Sequence, residues 1–210
     1  MRAIWWAALL AGASYLVATR VTADPIALAI WKGAGVGLIA LWAAAMARNR
    51  DGWLFAVVFA LHAAGDVLLE TSGMTVGGAA FFAGHLVAIW LYLANLRPAP
   101  SSSQQVLAAG LVFGTPLIAW LLTRDIGVAI YALGVGAMAG TAWRSRFPRY
   151  RVGLGAVLFV ISDLLIFARM GPLAGAAWPG LLIWPLYFGG QMLIATSGVR
   201  IVHDRRGVTR

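Results

Sequence analysis

The 210-residue chain contains no cysteine, which excludes disulfides, thiolate nucleophiles and cysteine-ligated metals. Acidic residues are scarce: seven aspartates and glutamates stand against sixteen basic residues, of which Lys32 is the only lysine. Charged residues make up only 11% of the chain, where a soluble domain carries about 25%. Catalytic signatures are missing as well. No GxSxG elbow, Walker loop or dinucleotide fingerprint occurs, and no HxxxH or HExxH spacing would hold zinc. What is abundant is apolar: 61% of the residues, against about 45–50% in a globular average. An ordinary soluble fold, a disordered tail and a fibrous repeat are thereby excluded, and a multi-span membrane protein is expected.

A spanning helix takes about 20 residues. Apolar runs fall at about 3–19, 26–47, 53–70, 76–96, 106–123, 126–143, 152–168 and 178–202, separated by short charged or Pro/Ser-rich links. The expectation is an all-α, polytopic membrane protein, a single domain over residues 1–210 with eight transmembrane helices in one bundle. Arg2, the apolar run behind it and Ala11-Gly12-Ala13 resemble a signal peptide. Seven further spans follow, and the first run is long enough to cross, so it is read as a true helix. Glycines on the second and sixth runs read as close helix packing.

The formal net charge of +9 looks like a nucleic-acid signature. Topology accounts for it instead. With eight spans, twelve arginines fall on the side of the termini: Arg2, Arg48, Arg50, Arg97, Arg144, Arg146, Arg149, Arg151, Arg200, Arg205, Arg206 and Arg210. Three (Arg20, Arg124 and Arg169) fall on the other. The basic bias places both termini in the cytoplasm, in what reads as a bacterial inner membrane. No nucleic-acid partner is expected; bilayer lipids are, with the Arg144–Arg151 loop facing anionic headgroups.

Ionisable side chains inside spans are costly and mark functional sites by default. The chain has Lys32, His62, Asp66, Glu70, His85 and Asp163. With the orientation above, Lys32, Asp66, His85 and Asp163 come from four helices at one depth, roughly 7–14 Å inside the outer boundary at 1.5 Å per residue. Tyr131 and Tyr187 fall at similar depth. One polar cavity reached from the outer leaflet is expected, lined also by Gln191. One lysine cannot neutralise two aspartates, and a spare carboxyl group in an apolar pocket stays protonated, as a general acid must. His62, Asp66 and Glu70 form an i, i+4, i+8 ladder on the third span, with His62 deeper and Glu70 at the rim. Each residue also has a structural reading: Lys32 snorkelling or pairing with an aspartate, His85 satisfied in a core, and His203 solvated in the basic tail.

The ordered segments Leu61-His62-Ala63-Ala64-Gly65-Asp66, Phe81-Phe82-Ala83-Gly84-His85-Leu86, Gly155 through Ser162-Asp163 and Pro185-Leu186-Tyr187-Phe188-Gly189-Gly190-Gln191, with Lys32 before them, resemble the YhhN-type lysoplasmalogenases. Ala88 departs from the family's tyrosine three residues beyond the histidine. The resemblance implies an integral membrane hydrolase that cleaves the vinyl-ether bond of lysoplasmalogens, with a lysophospholipid substrate and no cofactor. It also implies catalysis by Asp66, Asp163, Lys32 and His85, with Tyr131, Tyr187, Gln191, Glu70 and His62 around the substrate. Buried carboxylates also mark proton pathways, so a proton-coupled transporter is the alternative. Transporters show internal repeats and polar groups reaching both sides, whereas the inner half of these spans is nearly free of charge.

Overall fold

The computed structural model describes residues 1–204; Arg205, Arg206 and Arg210, part of the basic count, lie outside the described residues. The described chain is helical, with one isolated antiparallel bridge between Leu96 and Ser145. Helices α1 (Arg2–Val21), α2 (Pro25–Met46), α3 (Arg50–Thr71), α4 (Met74–Leu93), α5 (Ser102–Thr123), α6 (Ile126–Arg144) and α7 (Arg149–Met170) are each long and apolar enough to cross a membrane. An eighth, α8 (Trp178–Ile194), is 17 residues long. It continues through a π turn at Ala195–Val199 into α9 (Arg200–Asp204). The eight apolar runs thus correspond to eight helical rods, and the protein is an integral membrane protein.

Helix is the only solution for these runs, because hydrocarbon offers no partner to a backbone N–H or C=O. The ends are set by side-chain caps. Asp24, Asn49 and Asp125 each accept a hydrogen bond from the first turn of the helix that follows. Pro116 lies within α5 and is accommodated by a π turn at Gly110–Gly114. A second π turn, Arg149–Gly153, opens α7. The basic stretch read from sequence as the loop Arg144–Arg151 is therefore shorter: only residues 145–148 connect the helices, and Arg149 and Arg151 belong to the first turn of α7.

The chain divides into two compact units. The first comprises residues 1–91 and the C-terminal segment from Gly198. In it α1 packs on α2 and α2 on α3. His203, read from sequence as solvated, is tied to the Met46 carbonyl through Nδ1 at 2.7 Å. Asn49 Nδ2 donates to the Val202 carbonyl at 2.7 Å, so α9 is anchored at the start of α3.

The second unit comprises residues 92–197, with α5 on α6, α6 on α7 and α7 on α8. Asp125 Oδ1 caps α6 by accepting from the Gly127 and Val128 amides at 2.7 and 3.2 Å. Asp125→Ala should cost about 1 kcal/mol, seen as a fall of about 2–4 °C in the melting temperature of purified protein in detergent.

Candidate active site

In the first unit the polar residues lie along the ladder on α3. Glu70 is one residue from the helix end, Asp66 one turn below it and His62 a further turn below. A four-residue step advances about 6 Å and returns to nearly the same face. Exposure follows the ladder. The Glu70 side chain is 40% exposed, whereas Asp66 and His62 are buried at 1% and 2%.

Neighbouring helices meet the ladder at different levels. Lys32, from the first half of α2, donates Nζ to Glu70 Oε1 at 2.7 Å. Its ammonium is also within electrostatic range of Asp66 and Tyr15. The sequence pointed to an aspartate as the lysine's ion partner, but the salt bridge is to Glu70. His85 of α4 meets His62, with ring centroids 5.1 Å apart, and both imidazoles are buried. His85 therefore sits at the His62 level rather than at that of Lys32. The expected single layer is replaced in this unit by a gradient from a charged rim to a buried imidazole pair.

Glycines explain how the helices come so close. A Cβ on Gly84 would sit 2.5 Å from the His62 ring, and one on Gly65 would sit 2.6 Å from Phe81. The pairs Gly65-Asp66 and Gly84-His85 each set a bare backbone position beside a buried ionisable residue, so that the facing ring fits. Phe81 lies 5.5 Å from His62 between ring centroids and closes that side with an apolar wall.

In the second unit Asp163 of α7 is buried at 5% exposure. Tyr131 of α6 donates its hydroxyl to Asp163 Oδ2 at 2.9 Å. The Tyr131 ring is held edge-on to Phe167 at 6.0 Å. The adjacent Ser162 donates to the Ile183 carbonyl at 3.0 Å, which fixes this part of α7 against α8. Tyr187 packs edge-on against Phe159 at 5.0 Å, and Gln191, one turn further along α8, is fully buried. Asp66 and Asp163 are the two buried acidic side chains among the described residues.

Sequence reading missed Tyr15 and Ser162. Tyr15 sits in the run that resembles a signal peptide; its signal is the one tyrosine in an apolar span that also carries Ser14 and Thr19. Ser162 was visible only as the neighbour of an aspartate.

Known proteins resemble this chain over much of its length. A lysoplasmalogenase of Sus scrofa is 34% identical over 126 residues, covering 58% of this chain and 52% of that protein. Lysoplasmalogenases of Mycobacterium bovis and Mycobacterium tuberculosis are each 33% identical over 175 residues, covering 76% of this chain and 66% of theirs. The chain thus spans between about half and two thirds of the length of these relatives. No solved structure matches. Similarity to the YhhN family runs over residues 28–198, most of the chain, and the chain belongs to that family.

Proposed function

We propose that the protein hydrolyses the vinyl-ether bond of lysoplasmalogens, with Asp66 and Asp163 as its acid and base. The observation that supports this best is that Asp66 and Asp163 are each buried in a chain whose relatives are named lysoplasmalogenases.

A vinyl ether breaks by protonation of the alkene carbon distal to oxygen, which leaves an oxocarbenium ion. Water adds to that ion, and the hemiacetal collapses to a fatty aldehyde and a glycerophospho-headgroup alcohol such as glycerophosphoethanolamine or glycerophosphocholine. One carboxyl group supplies the proton. The other, as carboxylate, steadies the cation and takes a proton from water, the division of labour that glycosidases use. The Tyr131 hydroxyl, bonded to Asp163, orients that group, and His85 is available to relay protons. The chemistry asks for no metal and no organic cofactor.

Purified protein in detergent, given a lysoplasmalogen and its saturated ether analogue, should release aldehyde from the first alone. Aldehyde from neither would remove this reading.

The basic residues support a bacterial inner-membrane location with both termini in the cytoplasm. A C-terminal green fluorescent protein fusion should therefore be bright and an alkaline phosphatase fusion inactive; the reverse pattern would overturn the topology.

A further inference from the structure

The acid–base reading leaves the salt bridge above Asp66 without a task. Lys32 Nζ and Glu70 Oε1 form an ion pair at 2.7 Å. With side-chain exposures of 16% and 40%, both groups can be reached from outside the helix pair. A lysine eight residues into a span is costly and marks a functional site by default.

Resting on the reading of the site as a lysoplasmalogen hydrolase, we propose that Lys32 and Glu70 read the substrate's headgroup: Lys32 takes the lipid phosphate and Glu70 the cationic amine of a zwitterionic headgroup. The charges are complementary. A phosphate joined to an ammonium group is the inverse of the Lys32–Glu70 pair, so partners can be exchanged with every charge still matched. A headgroup ending in a bare phosphate would satisfy Lys32 but set negative charge against Glu70, and like-charge juxtaposition is how a site rejects a wrong ligand.

The spacing supports the same placement. In a lysoplasmalogen five bonds through glycerol separate the phosphorus from the vinyl-ether oxygen, a length comparable with one helical turn of about 5.4 Å. Asp66 lies one turn below Glu70 on the same face of α3. A phosphate held at Lys32 therefore brings the vinyl ether to the level of Asp66. The exposure gradient points the same way, with the headgroup at the half-exposed rim and the vinyl ether toward the buried Asp66. Tyr15, within electrostatic range of Lys32, adds a hydroxyl donor suited to a phosphate oxygen.

The test uses two pairs of lysolipids that differ only in headgroup, phosphoethanolamine against phosphate monoester. One pair carries a vinyl ether for turnover, the other a saturated ether for binding. The native protein should prefer the ethanolamine headgroup by roughly tenfold or more in Kd and KM. Glu70→Gln should erase the preference through KM rather than kcat. Glu70→Lys should reverse it, a gain that a misfolded variant could not show. Lys32→Met should weaken both headgroups. Equal binding by the native protein, a preference that survives Glu70→Gln, or an equal fall in kcat on both substrates would overturn the proposal. Headgroup preference in the saturated pair without cleavage of the vinyl ethers would keep this site and remove the hydrolase reading. Cleavage without preference would do the opposite.

Discussion

Asp66→Asn and Asp163→Asn should each lower vinyl-ether turnover by about 10²–10⁴-fold, the usual contribution of a general acid or base. Asparagine is nearly isosteric with aspartate, so the packing around these buried side chains is largely kept. What it loses is chemical: an amide neither donates a proton as an acid nor carries the charge that steadies an oxocarbenium ion. Tyr131 can still donate to an asparagine carbonyl at position 163, so the 2.9 Å contact survives and the loss is not one of positioning. Turnover close to native in either well-folded variant would displace the two-carboxylate account, and an acid centred on the His62–His85 pair would become the better assignment.

The second large effect is on folding, and neighbouring glycines of α8 should differ in it. A Cβ on Gly190 would lie 2.5 Å from the Gly155 carbonyl oxygen of α7, and one on Gly155 would lie 2.6 Å from the Gly190 carbonyl oxygen. Both obstacles are backbone, so no rotamer change relieves them and the helices must separate. Gly190→Ala should cost about 1–3 kcal/mol, the range for overpacking, or roughly 2–12 °C in melting temperature. Gly189 has nothing within 4 Å of its added Cβ. Gly189→Ala should match or exceed native stability, since alanine is the better helix former by about 1 kcal/mol. Thermal melts of the two variants in one detergent make the comparison, and equal behaviour would mean that α7 and α8 do not cross at these glycines.

Much of this architecture is legible in the sequence because a bilayer permits so little else. Eight apolar runs became eight helical rods with ends shifted by a few residues, mostly where a cap such as Asn49 or a π turn such as Arg149–Gly153 extends the helix beyond its apolar stretch. The ladder of His62, Asp66 and Glu70 was equally legible, since a spacing of four fixes one helix face. Partnerships between helices were not. Depth counted from a run's end carries an error of about a turn, enough to point Lys32 at an aspartate when its salt bridge is to Glu70 and to put His85 at the wrong level. The glycines beside Asp66 and His85 stood in the sequence only as parts of the family-like segments; what they allow shows in the rings of Phe81 and His62 against them. His203 looked solvated because nothing local reveals a carbonyl 157 residues away.

The central claim is that the reaction begins with proton transfer to carbon. Turnover of a lysoplasmalogen in heavy water, with mass spectrometry of the aldehyde, tests that most directly. Protonation of the alkene carbon delivers one solvent hydron to the carbon next to the new carbonyl. The account therefore predicts an aldehyde carrying one deuterium at that position, formed more slowly than in light water. An aldehyde without deuterium there, released at the same rate in both solvents, would contradict it.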